Sequence, residues 1–270
     1  MFLGIDLGTS GVKAVVISPA GDIMGQATAR LSVSRPHELW SEQSPADWWS
    51  ATDRAVLMLD RELRKQVEGI GLAGQMHGAV LLGADDVPLR PAILWNDGRS
   101  FAECDELEEA EPQSRLITGN LAMPGFTAPK LLWVRRHEPD VFQQVRTVLL
   151  PKDYLRLVLT REKISDMSDA AGTLWLNVAQ RSWSERMLRA TGLEASEMPA
   201  LAEGTTITGT LRREVAEQWG MRRVPIAAGG GDNAAAAVGV GVIEGGDGLL
   251  SLGTSGVTFV PTGGFRPHPE

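Results

Sequence analysis

The string Leu7-Gly8-Thr9-Ser10-Gly11-Val12 returns as Leu252-Gly253-Thr254-Ser255-Gly256-Val257, 245 residues further along a chain of 270. Each copy follows one apolar run and precedes another, so each predicts a strand–turn–strand. Small-residue turns of this kind present backbone N–H groups and form anion-binding concavities. Two of them suggest a pair of jaws around a polyphosphate. The simpler alternative is two ordinary β-hairpins whose glycines serve turn geometry. The copies differ just before the turn, where Asp6 stands in the first and Ser251 in the second. A carboxylate beside a phosphate turn repels it unless a cation lies between. Asp6 is therefore a candidate Mg²⁺ residue, since Mg²⁺ binds through one or two carboxylates plus phosphate oxygens and keeps several waters.

Composition removes whole classes of function. A net charge of −8, a pI near 5.2 and the absence of a basic tract argue against nucleic acid and anionic membranes as partners. The single cysteine, Cys104, allows no internal disulfide and fits a reducing compartment. The start, Met1 to Asp6, has no positive n-region and does not read as a signal peptide. The longest apolar run, Ala234 to Ile243, is too short to span a bilayer. The expectation is a cytoplasmic protein. A homodimer is left open.

Met1–Asp6, Val12–Ser18 and Ile23–Ser34 read as three strands, with a turn at Pro19-Ala20-Gly21-Asp22. Ser44-Pro45-Ala46-Asp47 predicts a helix start with Ser44 as N-cap and Pro45 at the first helical position. Trp48, Thr52, Ala55, Val56, Leu59 and Leu63 then recur on one helical face. Val67–Ala73 and Val80–Leu82 return to strand. The fold class is α/β: a mixed five-stranded sheet opening β-β-β-α-β, plus a helical insertion over 97–210, with helices at Phe101–Glu109, Ala128–His137 and Lys152–Leu159. Val224–Ala228 is a last strand, followed by three glycines, Asp232-Asn233 and an alanine-rich helix. Gly245-Gly246-Asp247-Gly248 reads as a hinge. Too few residues follow it for a core of their own, so the sequence looks cut off as a second domain begins.

Three segments carry candidate chemistry. Asp232, behind glycines that let backbone approach a ligand closely, suits a general base for phosphoryl transfer; it equally suits an N-cap for the helix behind it. Met76 and His77, on a loop flanked by Gly74 and Gly78, are candidates for a sugar site, with His77 donating to a hydroxyl. Packing is the alternative for both. Trp95-Asn96-Asp97-Gly98-Arg99 combines an aromatic face with an amide, an acid and a guanidinium, a set suited to sugars. Trp95 and Asp97 are its candidate ligands, against the alternative of an Asx-type turn with a surface Asp97–Arg99 pair. No P-loop string, dinucleotide fingerprint, nucleophile elbow or Cys/His cluster is present.

Gly4-Ile5-Asp6-Leu7-Gly8-Thr9-Ser10, Gly229-Gly230-Gly231-Asp232-Asn233 and Leu252-Gly253-Thr254-Ser255-Gly256 together resemble the FGGY carbohydrate kinases of the actin-like ATPase superfamily. Trp40-Ser41-Glu42-Gln43, Ala73-Gly74-Gln75-Met76-His77-Gly78, Leu94 to Arg99, Pro124 to Lys130 and Leu149 to Tyr154 are similar to the branch acting on D-xylulose. The resemblance covers essentially the whole chain. It implies a ribonuclease-H-like fold, with ATP and Mg²⁺ held between two lobes. Residues 1–244 would be the sugar-binding lobe, and 245–270 the hinge and first strands of a nucleotide-binding lobe. It implies transfer of the γ-phosphate to the 5-hydroxyl of D-xylulose. Asp232 would be the base and Asp6 the metal-side acid. Met76, His77 and Asn233 would be sugar contacts. Gly8, Thr9, Ser10 and Gly11, with Gly253, Thr254 and Ser255, would be phosphate turns. Other kinases of the family, acting on L-ribulose, gluconate or glycerol, remain alternatives, as does an actin-like nucleotide switch.

Overall fold

The first copy of the hexapeptide closes a hairpin. The computed structural model, which describes residues 1–252 and 256–268, pairs β1 (Phe2–Leu7) antiparallel with β2 (Gly11–Ile17), Leu7 opposite Val12. β2 then pairs antiparallel with β3 (Ile23–Arg30) across a turn closed by Ser18 and Asp22. Period-two alternation puts Leu3, Ile5 and Leu7 on the buried face of β1 and Asp6 on the opposite one. Helix α1 (Pro45–Leu57) begins with Pro45 at its first position, but the Ser44 side chain makes no capping bond. The single helix predicted through Leu63 is two helices. Asp60 accepts the amides of Glu62 and Leu63 and starts a separate segment, Arg61–Lys65. A strong cap placed mid-pattern overrides the continuing periodicity.

Strand β4 (Gly69–Gly74) returns parallel to β1, Leu7 level with Gly74. The three predicted helices of the insertion are present as Ala102–Ala110, α2 (Thr127–His137) and α3 (Pro151–Thr160), and a short helix, α4 (Met167–Ala171), follows. The insertion builds its own apolar cluster around Leu131, Trp133, Trp175 and Met187. Within the stretch read as helical, β5 (Ile207–Thr210) is a strand, antiparallel to β6 (Pro225–Ala227). β6 runs parallel to β4, and β7 (Gly230–Gly231) continues along β4, with Gly231 level with Gly74. The sheet order is β5-β6-β4-β1-β2-β3, with β7 beside β4. The expected β-β-β-α-β opening is there. The additional member is edge strand β5, and the last central strand is broken in two.

That break has a steric cause. Gly229, between β6 and β7, sits at φ +84°, and a Cβ on it would lie 2.0 Å from the carbonyl oxygen of Leu72. Helix α5 (Asp232–Gly239) starts directly after β7. Past the Gly245–Gly248 segment, β8 (Leu249–Leu252) and β9 (Gly256–Phe259) form an antiparallel hairpin, Leu252 opposite Gly256. The residues flanking the second copy are thus strand on both sides. Gly253, Thr254 and Ser255 lie outside the described residues.

The main core lies under the sheet, where Ile5, Leu7, Val12 and Leu72 meet Trp48 and Ala55 of α1 and Leu155 of α3. Each fully buried aliphatic side chain contributes about 1.5–3 kcal/mol. Gly229→Ala is expected to destabilise the chain by roughly 2–4 kcal/mol in urea unfolding. Gly71→Ala on the same sheet, where a Cβ meets nothing within 4 Å, should change stability by less than about 1 kcal/mol. Equal effects would contradict the close approach at Leu72.

Candidate active site

Three parallel strands end at one level: Leu7 and Gly231 both pair with Gly74. The chain therefore leaves the same edge of the sheet three times, into the Gly8–Ser10 turn, the Gln75–Gly78 loop and helix α5. Loops at the carboxyl ends of parallel strands are where open α/β sheets place ligands.

The first turn is fixed by side chains. Gly8 N–H donates to Gly11 O (3.0 Å). Gln43 Nε2 donates to Thr9 O (2.7 Å) and Ser32 O (3.1 Å). Gln43 Oε1 accepts from Trp48 Nε1 (2.9 Å) and Gln75 Nε2 (3.0 Å). Thr9 Oγ1 donates to Gln75 Oε1 (2.9 Å) and accepts from Trp95 Nε1 (2.9 Å). The Gln43 amide, buried, has every polar atom paired, as a buried amide requires. Thr9 and Gly8 are therefore held by protein, and among the described residues the amides of Thr9 and Ser10 have no acceptor. Any anion this turn receives would meet those two amides.

Asp6 stands on the open face of β1 with Lys13 opposite it in register. Desolvation raises its carboxyl above the ordinary carboxylate range, and Lys13 opposes that rise. Asp232 is raised as well, first by burial; its own backbone bond to Asn233 N–H (2.8 Å) lowers it, and the charge of Asp6 raises it further. Asp232 is not an N-cap: Gly231 holds that position and Asp232 is the first helical residue. The charge of Asp6 thus reaches Asp232 across the strand ends and disfavours its ionised form. Among the described residues no group of three His, Cys, Asp or Glu could cage a metal. A pair of carboxylates is nevertheless what Mg²⁺ takes from a protein when phosphate oxygens and water complete its shell. The residues fit that ion, with Asp6 at the end of β1 leading into the turn.

Met76 and His77 reach the same edge. Asn233 Nδ2 approaches Met76 Sδ at 3.9 Å, which joins the loop to α5. His77 sits at φ +67°, a left-handed backbone rare outside glycine. Its Nδ1 lies 2.8 Å from Gly172 O. A carbonyl only accepts, so Nδ1 carries the proton. Burial lowers the ring's pKa to about 4, with the Gly172 bond opposing, so the imidazole is neutral and Nε2 is a lone-pair acceptor. The expectation that His77 donates to a hydroxyl is corrected: with its proton on Nδ1 and engaged by Gly172 O, Nε2 can only accept. Phe126 packs edge-on against the ring at 4.8 Å. Lys130, fully buried, holds the Phe126 loop by donating to the carbonyls of Pro124 (2.9 Å), Gly125 and Phe126 (2.8 Å).

Trp95 is 39% exposed and tied to Thr9, so its ring stands at the cleft. Asp97 does not. It is 2% exposed and its oxygens are taken by Ser41 N, Arg99 N and the Arg99 guanidinium. Arg99 in turn lies over the Trp40 ring at 3.7 Å. As a sugar ligand Asp97 is corrected to a buried structural acid, and the expected surface ion pair is a buried one. The structure brings Asp6, Thr9, Ser10, Met76, His77, Trp95, Asp232 and Asn233 to one edge. Sequence reasoning missed Gln43, Gln75 and Lys130, whose partners are distant in sequence.

The His77 geometry is testable by ¹⁵N-edited NMR of the imidazole. The ring should stay neutral and protonated on Nδ1 from pH 8 to about 5, titrating near 4. Its folded value is lower than the unfolded one near 6.5, so its contribution to stability is full above pH 6.5 and lost as pH falls toward 4. A titration near 6.5 would contradict the buried bond to Gly172.

Residues 1–239 match the FGGY family of carbohydrate kinases, N-terminal domain. Over its whole length the chain is 60% identical to the xylulose kinase of Escherichia coli strain K12, of which it covers 56%. The solved structure of a xyloylose kinase from Brucella ovis superposes with a TM-score of 0.94 at 53% identity, covering 99% of this chain and 56% of that one. A Plasmodium falciparum glycerol kinase with ADP, at 18% identity and a TM-score of 0.86, shares the fold. The chain spans about half the length of the relatives it matches. Among the described residues no helix is long and apolar enough to cross a membrane. The chain belongs to the FGGY family of carbohydrate kinases.

Proposed function

We propose that residues 1–244 form the sugar-binding lobe of a two-lobe kinase that phosphorylates D-xylulose at O5 with ATP, and that residues 245–270 begin the nucleotide-binding lobe. The observation that carries this is the convergence of Asp232-Asn233, Met76-His77 and Trp95 with the Asp6 turn at one sheet edge. The 60% identity to a xylulose kinase supports the choice of sugar. The exposed apolar side chains Val238, in the last turn of α5, and Val240 and Ile243 just after it support a further lobe packing there.

In this reading the sugar lies against Met76 and Trp95, with a hydroxyl donating to His77 Nε2. Asp232 accepts the proton of the 5-hydroxyl as that oxygen attacks the γ-phosphorus in line. The bond from γ-phosphorus to the bridging oxygen breaks and ADP leaves. Asp6 would hold Mg²⁺, which supplies charge neutralisation at the phosphates. The amides of Thr9 and Ser10 would receive phosphate oxygens. Gly253, Thr254 and Ser255 would also serve the phosphates. The raised carboxyl of Asp232 makes a stronger base than an ordinary aspartate.

In the complete two-lobe enzyme, Asp232→Asn is expected to lower kcat by about 10³-fold or more while D-xylulose affinity changes less than about fivefold. Near-normal turnover would return Asp232 to a structural role. The acid limb of wild-type kcat against pH should lie above the ordinary carboxylate range, because the base must be ionised and its pKa is raised. A coupled ADP assay over D-xylulose, L-ribulose, gluconate and glycerol tests the sugar. Preference for another substrate overturns the choice of D-xylulose, and ATP turnover indifferent to any of them overturns the kinase reading.

A further inference from the structure

Lys152 opens helix α3 inside the protein, fully buried. Its Nζ contacts Asp153 Oδ1 (2.5 Å), Asp166 Oδ1 (2.9 Å) and Asp169 Oδ2 (3.6 Å). Arg156, also fully buried and one turn along α3, donates to Thr208 Oγ1 and to the carbonyls of Ala227 and Ala228 (2.6 Å). Two cations thus stand among three acids. Neither oxygen of Asp169 has a hydrogen-bond partner, and Lys152 Nζ meets its Oδ2 at ion-pair distance only. Burial lifts its pKa well above the ordinary value. None of these groups faces the cleft, and the reaction proposed above does not use them.

The cluster is nevertheless wired to the cleft. Asp166 Oδ2 accepts the amides of Ser168 (2.8 Å) and Asp169 (3.2 Å) and the Ser168 hydroxyl (2.5 Å). The same Ser168 Oγ accepts the amide of Gly231 (3.1 Å), the residue before Asp232. At the far end of α4, Gly172 O receives His77 Nδ1 (2.8 Å). One five-residue helix with its two caps therefore touches Gly231, the residue before Asp232, and the His77 loop, and Lys152 holds its N-cap Asp166.

We propose that Lys152, Asp166 and Ser168 are a positioning relay for Asp232, in which the Ser168 hydroxyl, oriented by Asp166, fixes the Gly231 amide and so the place from which α5 and its first carboxylate start. The inference rests on the reading of Asp232 as the base. Lys152 and Asp166 carry the fold as well as the relay, because removing one partner strands a buried charge. Ser168, half-buried, can be changed without that cost. Its hydroxyl joins Asp166 to the Gly231 amide, and its effect passes through that backbone.

The experiment uses Ser168→Ala and the hydroxyl-retaining Ser168→Thr. In this chain, amide exchange at Gly231 should speed up about tenfold or more in Ser168→Ala and stay within about threefold of wild type in Ser168→Thr. In the complete enzyme, Ser168→Ala should lower kcat about tenfold, with the KM for sugar and for ATP within about threefold and Tm within about 3 °C; Ser168→Thr should recover most of kcat. Unchanged exchange in Ser168→Ala overturns the relay, and so does faster exchange with unchanged kcat. A fall in Tm large enough to explain the activity loss, not repaired by Ser168→Thr, overturns it in favour of a merely structural serine. If the wild-type enzyme phosphorylates no sugar, the kinase reading fails, and Gly231 exchange in this chain alone then decides for or against the relay.

Discussion

Everything at the cleft depends on three parallel strand ends stopping level with one another. Leu7, Gly74 and Gly231 share a register, so the turn after β1, the loop after β4 and the helix after β7 emerge together. Asp232 feels the charge of Asp6, more than two hundred residues away in sequence, for that reason. The hydrogen-bond ladder sets this level, and a one-residue slip of any strand would turn its side chains to the other face.

Beneath that edge lie two polar devices. The Gln43 amide joins Thr9, Ser32, Trp48 and Gln75 with every bond satisfied. The Lys152 cluster underlies α4 and the approach to α5. Apolar packing alone leaves loops free to shift; paired buried polar groups admit few geometries, because an unpaired alternative is costly. Their presence under both the Gly8–Ser10 turn and the start of α5 accounts for loops that are held in place by side chains although their tips carry small residues. The break at Gly229 belongs to the same construction, since it lets β6 end and β7 begin close against β4.

Much of the frame was legible because its signals are local. The period-two strands β1 to β3, Pro45 at the start of α1, and the glycine run before Asp232 each announce themselves within a few residues. The misses were non-local or competitive. Asp60 interrupts an otherwise continuous helical face by capping a new helix. β5 is a strand because β6 offers it an edge, which its own sequence does not advertise. Asp97 reads as a ligand among Trp95 and Arg99, yet Ser41, brought by a different segment, takes its carboxylate inward. The direction of the His77 hydrogen bond follows from Gly172 O, a backbone atom 95 residues away. Spacing revealed which residues might do chemistry. Which of their atoms are free was set by partners that no spacing identifies.

The central claim is that this edge of the sheet receives a sugar through neutral His77. The most direct measurement is the His77 imidazole ¹⁵N spectrum of this chain as D-xylulose is added without nucleotide. The account predicts a saturable shift of Nε2, with Nδ1 little moved because Gly172 already holds it. An Nε2 resonance unchanged at saturating D-xylulose would contradict it.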